Sequence, residues 1–124
     1  MAIPGQLSAA IDDAVSADAR DLIALAANLH AHPELRFQEV KAAAWICELV
    51  ASRQIAVERG LGGLPTALRA RAGTAGATGG ARVAIVAEYD ALPEIGHACG
   101  HNLIAAGAVG AFLAAARVVA STGG

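Results

Sequence analysis

Aromatic side chains are nearly missing from this 124-residue chain, which has one Trp, one Tyr and two Phe, 3% of the whole. Hydrophobic residues still make up 56% of it. A core drawn from them is small-residue and aliphatic, with Ala and Gly supplying much of its bulk. Cysteine is also scarce. Cys47 falls in a helical run and Cys99 in a loop, which is no disulfide framework, and a reducing compartment, the cytoplasm, is expected. Neither charge sign is in excess: the net charge is −2 with both signs interspersed. That gives no electrostatic footprint for nucleic acid or for an anionic membrane surface. The start, Met1-Ala2-Ile3-Pro4-Gly5, lacks the basic and apolar regions of a signal peptide. The uncharged run 103–116 stops at Arg117, too short for a bilayer, and reads as a buried core helix.

The length suits one domain or part of one. Residues 1–16 read as a flexible lead-in that becomes weakly helical. Ser16 is the expected N-cap of a helix over 17–30, whose Leu22, Leu25, Ala26 and Leu29 recur at helical spacing. Pro33 ends it. A second helix is expected over 38–53, with Val40, Ala43, Ala44, Cys47, Leu49 and Val50 as its apolar face. Strands follow over 55–58, 66–72 and 82–88, and a last helix over 102–120, with 121–124 as a linker. The Gly-rich run 73–80 has no Gly-Lys-Ser/Thr ending and leads toward a strand, so it reads as a connector and not as a phosphate loop. This order predicts an α/β fold, a partial α/β sandwich with helices packed on a mixed sheet.

Between strand 82–88 and the last helix lies the densest chemistry of the chain. Glu88, Asp90, Glu94, His97, Cys99 and His101 fall within fifteen positions of a strand-to-helix junction, where α/β proteins build their sites. Cys99 and His101 would point to different faces of a helix, but in a turning segment they converge, and Gly100 between them clears the approach. A thiolate and an imidazole suit Zn²⁺. Asp90 could ligate or orient an imidazole. The alternative is structural: His and Cys capping the next helix, with Asn102 as N-cap. His30-Ala31-His32 beside Glu34 has the same two readings, metal ligands or imidazoles meeting the last carbonyls of a helix.

Glu88-Tyr89-Asp90-Ala91-Leu92-Pro93 followed by Gly96-His97-Ala98-Cys99-Gly100-His101-Asn102 resembles the metal-site segment of the M20 metallopeptidase and amidohydrolase family. The nearer likeness is to its carboxypeptidase-like branch, which includes aminobenzoyl-glutamate hydrolases and the M20 domain-containing protein 2 group. The resemblance implies that Cys99 and His101 are metal ligands and that Asp90 is the acid that orients a ligand. Glu88 stands where the wider family often has a ligating His and is a further ligand candidate. Asn102 stands where many members of the branch have Asp. His32-Pro33-Glu34-Leu35 with Phe37-Gln38-Glu39 resembles the family's N-terminal signature, which is not counted among its ligands, so His30 and His32 stay outside the site.

The resemblance implies a two-metal site, most simply zinc, with manganese or cobalt as alternatives. It implies hydrolysis of the amide bond of an N-acyl or aminoacyl amino acid or a small dipeptide by a metal-activated water, in a homodimer. It covers residues 25–120 and matches only the N-terminal portion of the family's catalytic domain. Residues 17–124 are thus expected to be that portion, without the dimerisation domain and without the Glu that serves as general base. The chain alone is expected to be inactive. The alternatives are a non-catalytic metal-binding remnant of the hydrolase fold, or an interaction module that self-associates through uncovered apolar faces.

Overall fold

The structure, a computed structural model, describes residues 4–73 and 81–122. The first helix, α1, runs Gly5–Ala31 without a break. Ser16 is therefore an interior residue and not an N-cap. Ala9, Ala10, Ala14, Ala17 and Ala19 are strong helix formers, and Ala14 and Asp18 are both buried, so packing and propensity together carry the helix through Ser16. It stops at Ala31, ahead of Pro33, as the proline requires.

Helix α2 spans Val40–Ser52. Its buried stripe is Ala42, Ala43, Ile46 and Val50, a helical period, while Val40 at the margin is exposed. No side chain at its own N-cap caps the helix; Glu34 does so from the preceding loop, accepting the Lys41 and Ala42 amides at 3.1 and 2.9 Å. A hairpin follows, β1 Val57–Arg59 and β2 Leu68–Ala70, joined through a short 3₁₀ turn at Leu61–Gly63. The strands are antiparallel with Glu58 opposite Arg69, and the two side chains form an ion pair. Helix α2 packs on this hairpin.

The expected strand over 82–88 does not form. Among the described residues the sheet has two strands, both antiparallel, so the mixed sheet is absent too. Val83 and Val86 are 85% and 75% exposed. β-branched residues favour an extended backbone, but a strand also needs a partner, and 82–88 is paired with neither strand of the hairpin. Residues 74–80, most of the expected Gly-rich connector, lie outside the described residues, as do 123–124 of the expected linker.

The last helix, α3, spans His101–Thr122 and packs against α1 in the most extensive pairing of the molecule. Asn102 meets Ala26, Gly110 meets Leu22 and Arg117 meets Asp18, so the two helices are antiparallel. Gly110 lets them approach: a Cβ there would lie 2.7 Å from the Leu22 side chain. Leu25, Leu29, Ile46, Val50, Val109 and Leu113 are the larger members of the core that α1, α2 and α3 enclose. This is an α/β arrangement of helices on a two-stranded sheet. By length and composition α3 is also apolar enough to cross a membrane, because it extends past the run 103–116 in both directions with Arg117 as its one Lys, Arg, Asp or Glu. A third of that span is buried within the molecule, and core helices pass the same test.

Candidate functional site

His101 is the first residue of α3, and Asp90 sits at the end of the extended segment that precedes the site loop. Nδ1 of the imidazole lies 2.9 Å from the Asp90 carboxylate and 2.9 Å from the Asp90 carbonyl. With two oxygens on that side, Nδ1 carries the proton and donates, which leaves the Nε2 lone pair pointing away. Nε2 in turn lies 3.1 Å from the Glu88 carboxylate. A ring nitrogen facing a carboxylate is favourable only when a proton or a metal ion is shared between them. Two ligand atoms on one tetrahedral zinc ion stand roughly 3.3 Å apart. The spacing and the donor types at His101 and Glu88 therefore fit a divalent ion in kind.

They fall short in number. Among the described residues, no group of three or more His, Cys, Asp or Glu side chains is arranged to hold a metal ion. Cys99 is exposed on the loop leading into α3, where Gly100, at φ +83°, takes the left-handed turn that only glycine adopts freely. The structure thus brings Asp90, Glu88 and His101 together, while Cys99 is an exposed free thiol two residues before His101 in the chain. Asn102 is not the N-cap of the structural alternative. It is helical and buried, and its amide donates to the Ala26 carbonyl of α1 at 3.3 Å.

His97 is the residue that sequence reasoning passed over. It is 8% exposed, and its Nδ1 is buried without a hydrogen-bond partner. Burial lowers its pKa, helped by the charges of His30 and His101 and opposed by Asp90 and by a hydrogen bond to the Leu29 backbone. A buried polar atom left unpaired costs about 1–3 kcal/mol. Its position in Gly96-His97-Ala98-Cys99-Gly100-His101 was the available signal, but spacing does not reveal burial. His32 behaves as a helix-end histidine, with Nδ1 3.0 Å from the Asn28 carbonyl and its ring edge-on to Trp45.

The loop 32–35 is the seat of the site. Its Glu34 carbonyl accepts the Ala91 amide at 2.7 Å, Leu35 and Ala91 form a parallel bridge, and Gly96 backs onto the Pro33 ring. Beside Glu88 and Asp90 a cavity of about 220 Å³ opens, lined also by Phe37, Glu39, Thr66 and Tyr89. The buried Glu39 carboxylate holds it together by accepting the Phe37 amide at 2.6 Å and the Thr66 hydroxyl at 2.8 Å. Tyr89 donates to the Thr66 carbonyl.

The chain is 33% identical over 121 residues to one of the subunits of p-aminobenzoyl-glutamate hydrolase of Escherichia coli (strain K12), covering 84% of this chain and 24% of that protein. It is 56% identical over 54 residues to Xaa-Arg dipeptidase of Mus musculus, covering 41% and 12%. It is 37% identical over 97 residues to an N-acyl-L-amino acid amidohydrolase of Geobacillus stearothermophilus, covering 66% and 25%. Together they support membership of the M20 family. They single out no branch within it. No family model matches the chain. The chain spans about a quarter or less of the length of these M20 relatives. Hydrolysis of amide bonds is thus supported for the family, and metal-dependent chemistry in general with it.

Proposed function

We propose that this chain, acting alone, is a non-catalytic metal-binding segment of the M20 hydrolase fold, with Cys99 and His101 as ligands, Glu88 as a further ligand and Asp90 orienting His101. The observation that carries this reading is the placement of His101, with Nδ1 held by Asp90 and Nε2 facing Glu88. Three protein ligands and a general base are the minimum for metal-assisted hydrolysis. The described residues assemble no group of three that could hold the ion. Two or three weak ligands suffice to hold an ion without turning over a substrate.

Completed by a base and further ligands, the same segment serves a metal-dependent amidohydrolase. The names of the relatives support its substrates as N-acyl or aminoacyl amino acids or small dipeptides. When bound, zinc, or manganese or cobalt in its place, would polarise the scissile carbonyl and activate a water. Asp90 would keep the His101 lone pair on the ion, and the cavity beside Glu88 would admit the substrate. The carboxypeptidase-like branch, a two-metal site, a homodimer and a cytoplasmic location belong to this completed protein, in which residues 17–124 form the N-terminal portion of the catalytic domain. The test is calorimetric titration of the purified chain with Zn²⁺, with acyl-amino-acid hydrolysis assayed in parallel. Expected are zinc binding, its loss in Cys99→Ser and in His101→Ala, and no turnover. Turnover that Cys99→Ala abolishes would overturn the non-catalytic reading.

A further inference from the structure

We infer that an arginine-lined cavity beside the C-terminal half of α3 binds a small organic carboxylate with an apolar body. The cavity, of about 560 Å³, opens where the chain leaves α2, where it leaves β2, and along that half of α3. It is separate from the metal loop and does not rest on the ligand reading: Arg117 and His101 belong to one helix, about 24 Å apart along its axis. Its wall carries Arg53, Arg71 and Arg117 and, among the described residues, no acid. Arg53 spends its guanidinium on Asp18, Asp21 and the Ser52 hydroxyl. Arg117 gives Asp18 one hydrogen bond, at 3.2 Å. Arg71 is exposed and hydrogen-bonds no acid among the described residues; it acts on Glu58 through space, and Arg69 holds that carboxylate. Asp18 and Asp21 thus answer two of the three guanidinium charges, which leaves one uncompensated beside the cavity.

Charge alone would suit an inorganic anion. The floor does not: Leu113 is buried, Ile55 and Ala116 are half-buried, and all three are apolar. Pockets of roughly 300–1,000 Å³ take small organic ligands, and an ion the size of phosphate would leave most of this one to water. A guanidinium fork matches a carboxylate with two parallel hydrogen bonds, and a short hydrocarbon body covers the floor. Gln54 adds an independent observation. It closes the turn after α2, with its backbone amide donating to the Ala51 carbonyl at 2.9 Å and φ at +62°. Glycine takes that left-handed conformation at least cost and commonly fills this position at a helix end. The chain instead places a polar side chain there, at the edge of the cavity. Residues held in such conformations cluster at ligand sites.

The experiment titrates the full chain, without metal, with sodium hexanoate, acetate, inorganic phosphate and hexylammonium in a calorimeter. The wild type is compared with Arg71→Ala and Gln54→Gly, and thermal unfolding is read on each. Expected are saturable one-to-one binding of hexanoate, weaker binding of acetate and phosphate, and none of hexylammonium. Arg71→Ala should weaken hexanoate about threefold or more, as loss of one accessible charged contact does, at an unchanged melting temperature. Gln54→Gly should melt no lower than the wild type, because the turn is relieved of strain, and yet bind hexanoate more weakly. Absence of saturable hexanoate binding would overturn the inference, as would wild-type affinity in either variant. Phosphate binding as tightly as hexanoate would overturn the apolar body, and hexylammonium binding as tightly would overturn the role of the arginines. If Arg71→Ala does not fold, Gln54→Gly decides alone.

Discussion

Tyr89, the single tyrosine of the chain, reports the state of the site's near wall. Its hydroxyl donates to Thr66, and burial, with the Glu39 carboxylate as the next cause, pushes its pKa up to about 12. A raised phenol pKa means the fold favours the neutral form. The stabilisation is complete below the unfolded value of about 10 and is lost as pH rises from there toward 12. Ultraviolet titration should show phenolate appearing only near pH 12 or on unfolding, and Tyr89→Phe should flatten stability between pH 10 and 12. Phenolate forming near pH 10 in the folded chain would contradict this. Leu29, fully buried, should cost about 2–5 kcal/mol as Leu29→Ala, read as a lower denaturation midpoint. Among single residues, Asp90 and His101 could be singled out because short acid and imidazole motifs stand out in a sequence, and the structure brings the two side chains together. His97 was not, because burial is set by what packs on a residue from elsewhere in the chain.

Asp18 ties three elements together. Its carboxylate, 3% exposed, accepts from Arg53 just past α2 at 2.9 Å and from Arg117 of α3 at 3.2 Å. Arg53 also reaches Asp21, and both arginines keep some contact with water. Removing the acid therefore leaves neither cation stranded, and Asp18→Ala should cost about 1.5–3 kcal/mol, the range for hydrogen bonds to charged groups. Urea unfolding with an unchanged slope and a lower midpoint would show it. An unchanged midpoint would mean that the network contributes nothing. Both later helices could be placed within two residues at each end from apolar spacing. The start of α1 could not, because Ser16 is a good cap in isolation, and the burial of Ala14 and Asp18 joins the propensity of the surrounding alanines to keep it inside the helix.

The molecule as a whole leaves a β-branched run uncovered. Val83, Ile85 and Val86 are exposed on a segment paired with no strand among the described residues. Such a segment is a template for strand pairing between copies. The isolated chain should gain mass with concentration in sedimentation experiments, and Val83→Lys with Val86→Lys should return it toward 12.3 kDa. A monomer at every concentration would count against this.

Residue types and their spacing sufficed for the two later helices and for the aliphatic character of the core, and they marked the acids, His and Cys of the loop 88–102 as the densest chemistry of the chain, since propensity, periodicity and side-chain type are local properties. Strand 82–88 was misread for the complementary reason: its composition promised a strand, but pairing belongs to two segments at once. Tertiary structure decided that α1 is one helix, that Glu34 caps α2 from outside, and that Nε2 of His101 faces Glu88. Each of these depends on groups from different elements or loops meeting in space, where burial and partner geometry, and not local preference, set the free energy.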